Sequence, residues 1–202
     1  MESRLRIAVG ITGASGGIYA DRLVSFLSKN VDRVYLTLTP TAEKVLTHEI
    51  SDKESILLRC LSGRLNPEEK AVVRYFQNND YFAPIASGSS VPDAMIIVPC
   101  SVGSMSRIAH SISSNLLERA ADVCLKQRKP LILGVRETPL HSIHLQNMLK
   151  LSEAGATIAP LMPGFYHKPE SLDELADFMV GRLLELVGVN HELYKRWNAR
   201  MI

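Results

Sequence analysis

The stretch that decides the fold is "RIAVGITGASGGIYADRLVSFLSKN", residues 6–30. Its apolar start predicts a strand over 6–11, and apolar residues at helical spacing predict a helix over 17–29. Four glycines, with Thr12 and Ser15 among them, lie at the junction. A strand that turns through glycines into a helix presents backbone amides at the positive end of the helix dipole. The junction therefore predicts a site for an anionic group.

The same alternation of strands and helices continues along the chain. Further strands are predicted over 33–38, 94–98, 130–135 and 156–159. Further helices are predicted over 104–128, divided near 113–115, over 140–153, and over 171–188. Strands that alternate with helices predict a mostly parallel sheet covered by helices on both faces, in a single α/β domain over 1–202.

Three local features refine this outline. Ser171 and Glu174 have the spacing of a capping box, and Gly188 stands where a helix-ending glycine is expected. Residues 51–80 are the least periodic stretch and are predicted to form a peripheral excursion. We expect the tail, about 188–202, to fold over the site or over a neighbouring subunit.

Composition excludes several classes of protein. With 202 residues, 46% of them hydrophobic, the chain can bury a substantial core, and a net charge of +2 does not favour nucleic-acid binding. The three cysteines lack metal-ligand spacing, so we expect no metal site and a reducing compartment. There is no signal-peptide pattern and no apolar run near the ~20 residues of a membrane helix. The sequence thus predicts a cytoplasmic protein without membrane insertion.

The glycine spacing is G-x-x-G-x-x-G over 10–16, which is neither the dinucleotide fingerprint nor a P-loop. It indicates a phosphate or flavin site, with the hydroxyl of Ser15 available to the ligand. The alternative is that Ser15 only caps the following helix. A second loop of small hydroxyl residues, "PCSVGSMS" over 99–106, also joins a strand to a helix, and Thr39 ends another strand. Ligands of parallel sheets bind at these strand ends.

A further ligand loop, "PIASGSSVPD", is predicted over 84–93. Arg119 and Lys126 are two helical turns apart, so they share a helix face about 10 Å apart along the axis, which also suits a solvated face. Arg136 and Glu137 directly follow an apolar strand, where a charge is costly unless it is paired or used. We therefore expect this pair to belong to a site.

The C-terminal part offers aromatic and cationic candidates. Tyr166 lies in the Pro/Gly-rich loop "PLMPGFYHKP", which also fits a structural connector. Arg182 interrupts an apolar helical stretch, where an arginine often extends along the surface to reach water. Trp197 is the only tryptophan and stands in the polar tail.

The ordered set of these motifs resembles the flavin prenyltransferases of the UbiX type. The resemblance rests on "GITGASGGIYA", "PIASGSSVPDAMIIVPCS", "NLLERAADVCLKQRKPLIL", "RETPLHSIHLQNMLKLSEAGATIAPLMPGFYHKPES" and "DFMVGRLLELVG", from about residue 5 to 197. It implies a Rossmann-like three-layer α/β/α sandwich that binds reduced FMN and alkylates its N5 and C6 with dimethylallyl phosphate, without a metal. The implied product, prenylated FMN, serves a UbiD-like decarboxylase, as in ubiquinone biosynthesis. The implied assembly is a homododecamer with sites between subunits.

The resemblance also implies roles for individual residues. The flavin would be held by Gly13, Ala14, Ser15, Thr39, Ser101, Val102, Gly103, Ser104 and Arg136. The prenyl phosphate would be surrounded by Gly88, Arg119, Lys126, Tyr166 and Arg182. The catalytic group would be Ser15, Glu49, Glu137, Tyr166 and Trp197. Here Thr39 stands where the family more often has serine, and Pro40 where lysine is frequent.

Two other functions fit parts of the pattern. A flavin-dependent cysteine-type decarboxylase acting on a phosphopantothenoylcysteine-like substrate would share the fold, but its substrate clamp would replace "LMPGFYHKP". A non-enzymatic FMN-binding subunit would have no use for a second set of cations. The sequence leaves open whether the prenyl donor is a monophosphate or a pyrophosphate, and which pathway uses the product.

Overall fold

The computed structural model describes residues 5–51 and 54–197. Within them, six parallel strands form one sheet in the order β3-β2-β1-β4-β5-β6. The strand bounds are β1 Arg6–Ile11, β2 Arg33–Leu38, β3 Val73–Phe76, β4 Ala94–Cys100, β5 Leu131–Val135 and β6 Thr157–Ile158. The direction of strand succession reverses between β1 and β4, and ligands of such sheets bind beside that switch point.

Helices cover both faces of the sheet. Their bounds are α1 Gly17–Asn30, α2 Pro40–Glu49, α3 Ile56–Leu61, α4 Pro67–Val72, α5 Val102–Ala109, α6 Leu116–Lys126, α7 Ser142–Glu153 and α8 Leu172–Leu186. One hydrophobic core joins the sheet to α1, α3 and α8, and a second joins it to α5, α6 and α7. The predicted Rossmann-like three-layer α/β/α sandwich is therefore confirmed.

Burial explains why the strands could be recognised locally. All seven residues of β4 are buried, as expected for a central parallel strand covered on both faces. The predicted strands 6–11 and 33–38 agree with the observed bounds, and the predicted division of 104–128 falls between α5 and α6. Gly188 ends α8 with φ +73°, and the next amide, of Val189, donates to the carbonyl of Leu184.

Two local predictions are wrong. Residues 51–80 are not merely an excursion, because β3 pairs with β2 as the edge strand of the main sheet. Its four residues are too short to show a periodic pattern. The capping box is only half formed: Ser171 Oγ accepts from the Glu174 amide at 3.2 Å, but the Glu174 carboxylate accepts from the amide of Glu170, not of Ser171.

None of the helices over 5–51 and 54–197 is long and apolar enough to cross a membrane.

Candidate active site

Thr12 joins the two loops that leave β1 and β4 at the switch point. Its buried hydroxyl donates to the carbonyl of Pro99 at 2.8 Å and accepts from the amide of Ser101 at 2.7 Å. The glycine loop and the 99–106 loop are therefore held side by side. Sequence reasoning noted Thr12 only as a member of the glycine loop.

The glycine loop also packs against the start of α2. A Cβ on Gly13 would lie 2.4 Å from Cγ2 of Thr41, so only glycine allows this approach. Thr39 caps α2, since its Oγ1 accepts from the Ala42 amide at 3.2 Å. Thr39 and Thr41, at the start of α2, thus lie next to the glycine loop. The helix itself was not found from the sequence.

The start of α1 already holds an anion, the carboxylate of Glu49 at the end of α2. Glu49 Oε2 accepts from the amides of Gly16 at 2.9 Å and Gly17 at 2.8 Å. Gly16 is the N-cap residue, with φ +118°, and as a glycine it has no side chain of its own to cap the helix. The alternative that Ser15 merely caps this helix is therefore wrong.

Ser15, Glu49 and Arg136 form one polar cluster. The Arg136 Nε donates to the carbonyl of Ser15 at 3.1 Å. Partial burial acts to raise the pKa of Glu49, but the hydroxyl of Ser15, the two glycine amides and the charge of Arg136 outweigh it and hold the pKa below its ordinary value. Glu49 is accordingly a carboxylate at neutral pH.

The 99–106 loop presents a capped helix start. Ser101 Oγ accepts from the Ser104 amide at 3.3 Å and lies 3.2 Å from the Ser104 hydroxyl. Gly103 is exposed, and Val102 is half-buried. Cys100 is fully buried, which raises the pKa of its thiol to about 12, so it is not a nucleophile.

Ala14 is buried in the glycine loop, beside the exposed Ser15. Glu137 is half-buried after β5, and its Oε1 accepts from the amide of Thr138 at 3.0 Å. The amide of Arg136, which directly follows β5, donates at 3.1 Å to the carbonyl of Cys100, the last residue of β4. The ends of β4 and β5 therefore meet at this carboxyl edge of the sheet.

A second group of predicted residues lies along α6. Arg119 donates from Nε to the carbonyl of Ala86 at 3.1 Å and pairs with Asp122 at 3.3 Å. A Cβ on Gly88 would lie 2.6 Å from Nε2 of Gln127 and 3.5 Å from Cε of Lys126. The 84–93 loop is thereby fastened to α6.

Strand direction places Gly88 and Lys126 at the opposite edge of the sheet from the glycine loop. The 84–93 loop leads into the start of β4, and four residues separate the end of α6 from the start of β5. A six-residue strand such as β1 spans about 20 Å. One copy of the chain therefore does not bring these residues to its own glycine loop.

A third group of predicted residues, Tyr166, Arg182 and Trp197, lies on or beside α8, and only Arg182 belongs to the helix itself. Tyr166 packs edge-on against Phe178, with ring centroids 5.7 Å apart, and against Trp197 at 5.3 Å. One turn further along the helix, Arg182 pairs with Glu185. Among the described residues, no hydrogen bond or ion pair joins these three groups to one another.

The sequence reasoning did not single out Glu185, Tyr194 or Gly181, all of which contact the surroundings of Arg182. A usable signal existed for Gly181: glycine inside a helix costs about 1 kcal/mol relative to alanine, so it needs a packing reason. Here that reason is the tail, because a Cβ on Gly181 would meet His191 Cε1 at 2.5 Å.

The comparisons with known proteins identify the family. The family model for flavoproteins matches residues 1–184. A flavin prenyltransferase UbiX of Alkalihalophilus pseudofirmus is 47% identical over 95% of this chain and 95% of its own length. That of Pseudomonas aeruginosa is 44% identical over 96% of this chain and 95% of its own length. The chain belongs to the UbiX family of flavin prenyltransferases.

Solved structures support the same assignment. A UbiX protein in complex with FMN and dimethylallyl pyrophosphate superposes with a TM-score of 0.87 at 36% identity, covering 98% of this chain and 99% of the other. A dodecameric FMN-dependent UbiX-like decarboxylase from Escherichia coli O157:H7 superposes with a TM-score of 0.86 at 32% identity, covering 96% and 100%. The resemblance inferred from the motifs is thereby confirmed.

The rival family shares only the architecture. A PPC decarboxylase mutant with bound pantothenoylaminoethenethiol superposes with a TM-score of 0.61 at 20% identity, covering 80% of this chain and 84% of the other. At that identity the likeness shows the fold alone, so it does not favour cysteine decarboxylation.

Proposed function

We propose that this chain transfers a dimethylallyl group from dimethylallyl phosphate to N5 and C6 of reduced FMN. The observation that carries the proposal is the cluster of Ser15, Glu49 and Arg136 at the switch point, beside two helix starts capped by hydroxyl residues. This edge combines hydrogen-bond donors for an anionic cofactor with an ionised acid for proton transfer.

The residues at this edge fit FMN. The backbone amides at the start of α1 already donate to the carboxylate of Glu49. The flavin phosphate is therefore assigned to the start of α2, with Thr39 and its neighbour Thr41 as hydroxyl donors. The turn at Ala14 and the 101–104 loop would hold the ring system, and Arg136 would complete the contacts. When bound, reduced FMN supplies the nucleophilic N5 and C6, so the chain needs no nucleophile of its own.

The acids of the site would manage the protons. Glu49 is ionised, so it can accept the proton that leaves N5, while Ser15 orients its carboxylate. Ring closure joins C6 to the tertiary carbon of the allyl double bond, whose other carbon takes up a proton that Glu49 can return after accepting it from N5. Glu137, at the end of β5, is assigned the proton that leaves C6. The departing phosphate is the alternative base for that proton.

Cations would promote departure of the phosphate. Its charge grows as the allylic carbon–oxygen bond breaks, so Arg119, Lys126 and Arg182 stabilise the transition state, with Tyr166 as a hydrogen-bond donor. The face of Trp197 would stabilise the positive charge that develops on the allyl group. Residues on or beside α8, Arg182 and Tyr166, and residues on α6, Arg119 and Lys126, thus contribute to the same pocket.

We further propose that a second copy of the chain completes the site. Gly88 and Lys126 stand at the opposite sheet edge from the glycine loop in each copy, so a pocket that they share with the glycine loop requires two copies. Large apolar side chains are available for association, since Phe82 is fully exposed and Leu149 is 60% exposed. A homododecamer, like the dodecameric E. coli neighbour, would satisfy this geometry.

The product would be used by a separate enzyme. Prenylated FMN is proposed to pass to a UbiD-like decarboxylase in the cytoplasm, for quinone synthesis or for decarboxylation of aromatic acids. A chain that makes a cofactor for another enzyme must release it, which fits a site at the open end of strands rather than a closed cavity.

Anaerobic incubation with reduced FMN and dimethylallyl phosphate, followed by mass spectrometry, tests the reaction. We expect a flavin heavier by one prenyl unit. Dimethylallyl pyrophosphate in a parallel arm separates the two donors, and a phosphopantothenoylcysteine arm tests the rival decarboxylation. Absence of the adduct with both donors would contradict the proposal.

Mixed assembly tests the second copy. Lys126→Ala and Tyr166→Phe are each expected to abolish most activity alone. Chains of both variants, dissociated and reassembled together, should regain about a quarter of the wild-type sites if the two residues come from different copies. No recovery above the sum of the variants would place both residues in one copy.

A further inference from the structure

Four side chains converge on the carboxylate of Glu185 in the last turn of α8. Its Oε2 pairs with Arg182, three residues earlier on the same helix. Its Oε1 accepts a hydrogen bond from the hydroxyl of Tyr194 at 2.9 Å and lies 3.3 Å from a guanidinium nitrogen of Arg196. The buried ring of His191 places Nε2 at 3.4 Å from the same oxygen. Three of these four partners come from the segment after α8.

That segment reaches Glu185 because α8 carries a glycine at the crossing. A Cβ on Gly181 would lie 2.5 Å from His191 Cε1 and 2.6 Å from Tyr194 Cε1. The tail can therefore rest directly on the helix backbone. The ring of Tyr194 also packs against Phe178 at 4.8 Å, one turn before Arg182.

Arg182 is therefore held by Glu185, and Glu185 is in turn held by the segment after α8. Arg182 is half exposed, with 53% of its side chain accessible, yet Glu185 fixes one edge of its guanidinium. Glu185 is itself only 20% exposed and is held in place by Tyr194. A planar guanidinium oriented in advance keeps its remaining N–H donors aimed in one direction. A lone arginine on a helix surface has no such orientation.

We propose that Glu185 and Tyr194 are positioning residues, which orient Arg182 toward the phosphate of the prenyl donor. This inference rests on the proposed function, in which Arg182 binds that phosphate. Tyr194 also supports the other phosphate ligand of this group, because Phe178 lies between its ring and that of Tyr166. The tail segment thereby acts on the donor site without touching the donor.

The alternative role for Glu185 has the opposite sign. A carboxylate close to a phosphate site repels the phosphate, so a residue that merely screened Arg182 would weaken donor binding. Its neutralisation would then improve the affinity. The two roles are therefore separated by the direction of the change in KM.

The test compares Glu185→Gln with Glu192→Gln, an exposed carboxylate of the same region, in the full-length assembled protein. For Glu185→Gln we expect the KM for dimethylallyl phosphate to rise about tenfold and kcat to fall as well, because Arg182 also stabilises the departing phosphate, with the FMN dissociation constant changed less than about twofold. Tyr194→Phe, which keeps the ring, should raise the same KM by a smaller factor. Glu192→Gln should change none of these values.

A double-mutant cycle separates positioning from general stability. In an Arg182→Ala background, Glu185→Gln should have no further effect on donor affinity, because its target is gone. An unchanged or lower KM for Glu185→Gln alone, or the same loss of affinity in both backgrounds, would overturn the inference.

Direct binding keeps this inference distinct from the proposed reaction. Calorimetry measures the dissociation constant of dimethylallyl phosphate for each protein of the double-mutant cycle, so the inference is tested without catalytic turnover. Wild-type protein that binds the donor but alkylates no flavin would contradict the proposed function. The double-mutant cycle of binding constants would still show whether Glu185 positions Arg182. Wild-type protein that does not bind the donor would overturn both.

Discussion

Replacement of Glu49 by glutamine removes the anion that the chain places at the start of α1. The carboxylate accepts from the two glycine amides at 2.9 and 2.8 Å, at the positive end of the helix dipole. Glutamine keeps an acceptor oxygen of nearly the same shape and loses the charge. The substitution therefore isolates the electrostatic part of the contact.

The size of the effect follows from these two bonds. A hydrogen bond to a charged acceptor contributes about 1.5–3 kcal/mol, and a neutral one about 0.5–1.5 kcal/mol. Glu49 is exposed enough for solvent to screen much of the difference. We expect a loss of about 1 kcal/mol in the free energy of unfolding, which lowers Tm by about 2–4 °C in a protein of this size.

The pH dependence has a defined sign. The pKa of Glu49 in the folded protein is below its ordinary value of 4.5, so the unfolded chain takes up the proton first as pH falls. The stabilisation is complete above about pH 5 and disappears as pH falls through the folded pKa. The Tm difference between wild type and Glu49→Gln should therefore shrink below pH 4.5.

Thermal unfolding from pH 3.5 to 8 measures this difference, with Glu153→Gln as the matched control. Glu153 also ends a helix, α7, and is exposed. Equal Tm changes for the two variants at every pH would refute the electrostatic account of Glu49. In the prenylation assay, Glu49→Gln should lower kcat about a hundredfold if it accepts the N5 proton.

Three further outcomes are expected. Burial raises the pKa of Cys100 to about 12, so iodoacetamide at pH 8 should leave it unlabelled in native protein and label it after guanidinium unfolding, as peptide mass spectrometry would show. Glu118→Ala should cost about 1–3 kcal/mol in urea unfolding, because the 1% exposed carboxylate accepts from the amide and hydroxyl of Ser114, while its ion-pair partner Arg107 is 42% exposed and solvent screens that contribution; a loss below about 0.5 kcal/mol would count against this. Gly88→Ala should raise the KM for dimethylallyl phosphate several-fold without lowering Tm by more than a few degrees, because its Cβ would press on Gln127 beside the donor cations.

The strands were readable because their signal is local. A buried parallel strand is a continuous apolar run, and β1, β2 and β4 each show one that stops at glycine or at a hydroxyl residue. β3 was missed because it is four residues long and lies at the sheet edge, with only its first residue buried. Too few of its side chains are buried to impose a pattern.

The site was readable only in part. Ligands of parallel sheets bind at the carboxyl ends of the strands. Ser15, Ser101 and Arg136 were predicted as site residues because each one follows a predicted strand. Glu49 entered through family resemblance alone, because the helix that carries it to the glycine loop, α2, was not recognised. Its contact with Gly17 spans 32 residues of sequence.

The sequence by itself determined the alternation of strands and helices, the starts of α1 and α5 at the switch point and the family, since each depends on residues close together in the chain or on motifs in a fixed order. Tertiary structure alone decided which anion occupies the start of α1, how the tail reaches Glu185, and that Lys126 stands at the far edge from the glycine loop. The physical reason is that such contacts depend on strand order and helix direction. These bring segments that are distant in the chain side by side, and they separate residues that the family motifs assign to one site.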